Sequence, residues 1–271
     1  MPVASAHFVA ESDGSFSPTD MARSRWGPDT LNGPALVGLA AWELESRYRA
    51  EGFAPVRFTA DLFKAARRQP TLLRSRIARA GGRIRVAECD ILQDGAVVVR
   101  AVMAAYRRSR PPPGAEWVPR AGFSPPPGAE GPVYLVGSDD AGWAGSGADH
   151  QNTSRKRVYH RTVDAVAGHP ASPFVRTVVA AEATSLVTNL GSRGIGYING
   201  DLTVALCRLP LGDHIGVQAD SHWCADGVSV GTATLFDDAG PFGTGMVTAL
   251  ANPAAQIDFA DPDVMPILRV P

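Results

Sequence analysis

A ten-residue string occurs twice in this chain, and its spacing constrains the fold more than any other feature. Asp61-Leu62-Phe63-Lys64-Ala65-Ala66-Arg67-Arg68-Gln69-Pro70 and Asp201-Leu202-Thr203-Val204-Ala205-Leu206-Cys207-Arg208-Leu209-Pro210 both read D-L-x5-R-x-P, 140 residues apart. In a chain of 271 residues that offset is about half the length, so the sequence reads as one unit used twice. The second copy alternates as a strand does. Leu202, Val204 and Leu206 fall on one face, with Asp201 opening the strand on the other face and Arg208 closing it.

The elements around the two copies repeat in the same order. Asn32-Gly33-Pro34 opens a helix with proline in its first turn, where a missing N–H costs nothing. Leu36, Ala40, Leu44 and Tyr48 recur at i+4, Val37 and Ala41 widen the stripe, and Gly52 ends it. Four strands follow at 56–66, 71–80, 84–93 and 96–107, with turns at Gly81-Gly82 and Asp94-Gly95. In the second half a short strand at 158–163 precedes a helix capped by Ser172-Pro173 and closed by Gly191. Phe174, Val178, Ala181 and Ser185 share a face of that helix, and Ala180-Ala181 lies 140 residues after Ala40-Ala41. Strands at 198–207, 214–222, 228–236 and 242–250 complete the unit. Helix then antiparallel meander is an α+β arrangement, here doubled. The pattern predicts that residues 56–107 and 198–250 superpose, with Asp61 over Asp201 and Pro70 over Pro210.

Between the halves, residues 109–131 carry Pro-Pro-Pro-Gly-Ala-Glu twice, which predicts an extended surface connector. Residues 137–150, rich in Gly, Asp and Ser, read as a second loose stretch. The division is 1–108, 109–150 and 151–271. The tail from Pro253, with Pro262, Pro266 and Pro271, is expected along the surface.

Composition excludes some functions. A net charge of -1 removes the bulk attraction that nucleic-acid binding requires. Three cysteines (Cys89, Cys207, Cys224) are too few for a disulfide framework and fit a reducing compartment. No apolar run spans a membrane and the N-terminus lacks a signal-peptide pattern, so a soluble cytoplasmic protein is the expectation. No G-x-S-x-G, P-loop or dinucleotide fingerprint is present.

Asp201-Leu202-Thr203-Val204, followed by Arg208-Leu209-Pro210-Leu211-Gly212-Asp213, resembles the signature of the type II acyl-CoA thioesterase-like family, and the segment from Leu235 to Gly243 continues the likeness. The resemblance implies a double hotdog, two helices each wrapped by an antiparallel sheet, that hydrolyses an acyl-CoA thioester with no cofactor or metal. It further implies a single unit acting as a pseudo-dimer, or a homodimer of double-hotdog units. The family's Asp, hydroxyl and Gln, which hold the attacking water, carry over to Asp201, Ser221 (Asp220 in the neighbouring register) and Thr248. Threonine stands where the family has glutamine, and its reach is shorter. That departure keeps open a second reading, a protein of the same fold that binds an acyl or CoA-like ligand without turnover. The three side chains are expected to converge on one water.

Other residues carry competing readings. Asp201 could instead cap Asn199-Gly200 or pair with Arg208. Asp61 reads as structural. Glu182 is a second candidate acid, since some hotdog enzymes place theirs on that helix, but reads as a residue of the exposed helix edge. The seven arginines from Arg67 to Arg85 suggest a charged outer sheet face, or a cradle for the phosphates of coenzyme A. His222 and Cys224, with His214 near, lack further metal ligands. Trp42 and Trp223 read as core.

Overall fold

The computed structural model describes residues 6–119, 122–128 and 134–261. The first half contains β1 (Ala6–Ala10), β2 (Phe16–Pro18), α1 (Gly33–Tyr48), β3 (Phe53–Leu62), β4 (Leu72–Ala80), β5 (Ile84–Gln93) and β6 (Ala96–Arg107). The second begins with β7 (Tyr134–Ser138), β8 (Trp143–Ala144), β9 (Lys156–Arg161) and β10 (Asp164–Val166). Its helix comes in two pieces, α2 (Pro173–Ala181) and α3 (Ala183–Asn189), which meet at Glu182. Short strands β11 (Leu190–Gly191), β12 (Gly194–Ile195) and β13 (Tyr197–Asn199) lead into β14 (Asp201–Leu206), β15 (His214–Ala225), β16 (Val228–Asp237) and β17 (Gly240–Ala251).

The repeat is visible in the pairing order. One 12-stranded sheet runs β4-β5-β6-β3-β14-β17-β16-β15-β9-β7-β8, with β13 also on β17. The run β3-β6-β5-β4 is matched by β14-β17-β16-β15, and antiparallel pairing of β3 with β14 joins them. This is the double hotdog, α+β. The hairpins turn on Asp94-Gly95 and Asp226-Gly227, each with positive φ at both residues, the geometry that suits a two-residue connection between right-twisted strands.

The register differs from the one the doubled string predicts. The first strand of each unit carries one extra residue against the last strand, Val56 in β3 and Gly200 between β13 and β14. Matching those bulges equates Asp201 with Arg57, and Asp61 with Ala205. Asp61 and Asp201 are partners rather than equivalents, directly opposite each other across the junction. A string match counts residues along the chain. The matched bulges show that Gly200 lies 144 residues after Val56, whereas the helix cap Ser172 lies 140 after Asn32, so the second unit has four more residues between its helix and this strand.

The two helices cross closely inside the sheet. A Cβ on Gly38 would lie 2.7 Å from Val179, so α1 and α2 approach through the missing side chain. Phe58 and Phe174 meet edge to face at 6.3 Å beside that crossing, and both are fully buried.

The described parts of the connector, 109–119 and 122–128, contain neither helix nor strand. They are anchored all the same. Phe123 stacks on Phe236 at 5.1 Å, lies against Trp143 and Tyr159, and covers Gly216, where any side chain would overlap its ring. Much of 137–150 is ordered rather than loose. β7 and β8 extend the second half of the 12-stranded sheet, and His150 is buried against Ser138, 3.0 Å from Nδ1 to Oγ. Prolines 262, 266 and 271 lie outside the described residues.

Arg208 is committed to structure. Its guanidinium makes bonds of 2.5 and 2.8 Å to Asp237, whose carboxylate also accepts from Leu211 and Ala239 N–H groups. Arg74 and Arg100 share Asp90, and Arg76 pairs with Glu88, so these arginines form a compensated outer face. Trp42 packs edge-on against Phe16 and His169 at the rim of the core. Trp223 departs from expectation. It is 73% exposed, because β15 continues past its bulge at Asp220.

Candidate functional site

Asp201 and Thr248 come together. The Thr248 N–H donates to Asp201 Oδ1 at 3.0 Å, and the Thr248 hydroxyl donates to Oδ2. The bulge explains the contact. Gly200 takes the Thr248 carbonyl at 2.9 Å, and the Asp201 side chain supplies the acceptor that the bulged strand no longer presents to the Thr248 N–H. Arg208 is not its partner. Ser221 lies elsewhere. It is hydrogen-bonded to Thr232 at 2.7 Å on β16, and both β16 and β17 separate its strand from β14. At about 4.8 Å per strand, that is roughly 14 Å across the sheet. Asp220, the neighbouring register, accepts from the Thr234 hydroxyl at 2.8 Å, and burial raises its pKa. The structure therefore brings two of the three residues together and holds Ser221 apart.

A different acid stands in an unusual environment. Glu182, at the junction of α2 and α3, keeps an opening to the surface while its carboxyl is enclosed by protein. Burial pushes its pKa up to about 7, against a single opposing hydrogen bond from Asn199 Nδ2 at 3.3 Å. No salt bridge reaches it among the described residues. The carboxyl rests on the first residue of α1: a Cβ on Gly33 would overlap it. In that first turn Pro34 has no N–H, the Asn32 side chain takes the Ala35 N–H at 2.8 Å, and the Asn32 carbonyl takes Leu36. The Gly33 N–H is the amide that the helix itself does not satisfy. Acid and helix N-terminus thus meet at the crossing between halves, where the positive end of a macrodipole favours negative charge.

Nearby groups complete the surroundings. Tyr134 on β7 is pushed up by burial, and the charges of Arg25 and Glu182 act on it in opposite directions. Asn199 is held by the Ser185 hydroxyl at 3.2 Å, and its own Nδ2 also reaches the Asp201 carbonyl at 3.4 Å. The other buried acid of the helices shows what neutralisation looks like. Glu43 pairs with Arg47 at 2.5 Å and accepts from Ser75 at 2.6 Å.

The sequence reading put Glu182 on an exposed edge, which the structure corrects. Helical periodicity assigned one buried stripe to this helix, whereas it is enclosed on nearly all sides between α1 and the sheet. A usable signal existed: Glu182 is the sole charged residue between Arg176 and Arg193. Asn199 carried no signal, since only the fold brings β13 under the helix. Among the described residues no group of three or more His, Cys, Asp or Glu is placed to hold a metal. No described helix is long and apolar enough to cross a membrane.

Comparison with known proteins agrees with the architecture. Residues 22–105 match the acyl-CoA thioesterase N-terminal domain, and 107–250 match the acyl-CoA thioesterase C-terminal domain. The acyl-CoA thioesterase II TesB2 of Mycobacterium marinum superposes with a TM-score of 0.63 at 15% identity, over 90% of this chain and 95% of that one. A conserved protein of unknown function with a hot dog fold from Alicyclobacillus acidocaldarius gives 0.68 at 16%, over 91% and 96%. The tesB protein of Mycobacterium avium subsp. paratuberculosis gives 0.58 at 15%, over 91% and 96%. No curated protein matches in sequence. At these identities the solved structures speak for the fold alone, but the two domain matches follow each other along nearly the whole chain, and on that ground it belongs to the acyl-CoA thioesterase family.

Proposed function

We propose that this protein hydrolyses an acyl-CoA thioester and that Glu182 is the general base. The observation that carries the reading is an acid whose carboxyl is enclosed, with no salt-bridge partner among the described residues, raised to about 7 by burial and set against a helix N-terminus. The thioester carbonyl oxygen would face the Gly33 N–H, where the α1 dipole stabilises the developing oxyanion. Glu182 would take a proton as water oxygen attacks the carbonyl carbon. The C–S bond then breaks, and the proton passes from Glu182 to the leaving thiolate, releasing the carboxylic acid and coenzyme A. Asn199 would hold the carboxylate in place by its N–H. The chemistry needs no metal and no cofactor.

Asp201 with Thr248 is the alternative carboxylate site. Its oxygens are already engaged by the Thr248 N–H and hydroxyl. Assays across acyl chain lengths should separate the two. Glu182→Gln is expected to lower kcat/KM by about 100- to 10,000-fold, the range for loss of a general base. Asp201→Asn is expected to retain most turnover. Full activity in Glu182→Gln with loss in Asp201→Asn would transfer the role to Asp201. Saturable acyl-CoA binding with no hydrolysis of any chain length would make this a ligand-binding member of the family.

A further inference from the structure

Glu182 has one side-chain hydrogen-bond donor among the described residues, the amide of Asn199, and an amide can face either way. With Nδ2 toward Glu182 it supports the carboxylate. Flipped, it presents Oδ1, an acceptor against an acceptor, and disfavours that form. The orientation is specified from the sheet, by a carbonyl that only accepts, and anchored from the helix. Ser185 lies three residues after Glu182, on the same helical face, and its hydroxyl meets Asn199 Oδ1 at 3.2 Å. The Asp201 carbonyl receives Nδ2 at 3.4 Å from the sheet side. Two residues of one helical turn therefore grip the two ends of one amide on β13.

We propose that Ser185 is a positioning residue: its hydroxyl anchors the oxygen end of the Asn199 amide, whose N–H the acceptor-only Asp201 carbonyl turns toward Glu182, and the anchored amide favours the carboxylate form in which that acid works as a base. The inference rests on the reading of Glu182 above. Ser185 does not touch the reacting atoms in this scheme; it acts through Asn199. Other charged or titratable groups are placed to perturb Glu182 less specifically. Tyr134 on β7 interacts with it through charge, and Arg25 acts on the same phenol in the opposite direction. The Asp201 carboxylate on β14 is taken by Thr248. His160 on β9, held neutral by burial, bonds the backbone at Ala180. Gly33 brings no side chain. None of these is hydrogen-bonded to the Asn199 amide among the described residues; its two ends are held by the Ser185 hydroxyl and the Asp201 main-chain carbonyl.

The test compares Ser185→Ala and Ser185→Thr with the unaltered protein, following kcat/KM against pH on a hydrolysed acyl-CoA, with urea midpoints measured in parallel. Ser185→Ala should move the acidic limb of the profile upward by roughly one pH unit, the effect of losing one hydrogen bond to a charged group, while leaving the high-pH plateau within about three-fold. Ser185→Thr restores the hydroxyl and should restore the limb. A limb that stays in place in Ser185→Ala overturns the proposal. So does a uniform loss at every pH accompanied by a lowered urea midpoint, which is what a purely structural serine would give. The Glu182 carboxyl can also be titrated directly by carbon-13 NMR, with Glu182→Gln identifying its signal. This second readout needs no turnover. Absence of hydrolysis in the unaltered protein would remove the hydrolytic reading, and an unmoved Glu182 titration in Ser185→Ala would remove the relay.

Discussion

At the scale of the residue, the role proposed for Glu182 sets reactivity against stability. Its pKa in the fold is about 7, above the ordinary 4.5, so the native state holds this proton more tightly than the unfolded chain does. The resulting stability is present in full below about 4.5 and is lost as pH rises through about 7. A displacement of this size corresponds to about 3 kcal/mol. Glu182→Gln, which never ionises, should therefore be the more stable protein above neutral pH, by up to about 3 kcal/mol in urea unfolding. The advantage should vanish below pH 4.5, and a difference independent of pH would refute the assignment. In the proposed mechanism the same titration predicts an acidic limb near 7 in kcat/KM, because the protonated acid cannot accept a proton from water.

At the scale of the element, α3 lies on its sheet through two glycine windows. Thr184 occupies the space beside Gly245, and Thr188 that beside Gly231; a Cβ at either glycine would overlap a threonine side chain. Thr188 Oγ1 is satisfied by the Thr184 carbonyl at 2.7 Å, whereas Thr184 Oγ1 is buried without a partner among the described residues. Gly245→Ala should cost about 1–3 kcal/mol by overpacking. Adding Thr184→Ala should recover most of that loss, since it removes both the overlap and an unsatisfied hydroxyl. Strictly additive effects in chemical denaturation would show that the two residues do not share this space.

At the scale of the whole molecule, the helix N-terminus of each half meets an acid from the other half, at positions that the repeat does not equate. The N-terminus of α2 meets Glu45 of α1, much as the N-terminus of α1 meets Glu182. There the capping Ser172 donates to Glu45, and Arg49 adds opposing charge. One acid is thus engaged by a cap while the other faces a glycine. Acid stability belongs to this scale too. His7 on β1 and His160 on β9 are buried, and burial lowers each to about 4. Each contributes stability that is present above 6.5 and lost as pH falls through about 4. His160→Phe should flatten the acid side of the stability profile by about 3 kcal/mol at most, read from urea midpoints between pH 7 and 4. We further propose that the unit acts alone or as a dimer. The free edge of β4 is blunted by a bulge beside Arg79 and by Arg74 and Arg76, which disfavours open-ended strand addition, and light scattering should give one or two chains.

Local chemistry made much of this legible before folding is considered. The doubled helix-and-meander order, the 84–93 and 96–107 strands and the Asp94-Gly95 turn follow from side-chain alternation and backbone preference, which act over a few residues. Family likeness was legible for the same reason, being carried by short runs such as Arg208-Leu209-Pro210. Register was not. The extra residue at Gly200 leaves the Thr248 N–H to the Asp201 side chain, and four more residues between helix and strand in the second unit make Arg57 the counterpart of Asp201; nothing in D-L-x5-R-x-P encodes either. Nor was the acid. Glu182 takes its character from Gly33, Asn199 and the enclosing sheet, contributed by segments far apart in the chain. Desolvation is a property of what surrounds a group, and only the tertiary structure supplies the surroundings.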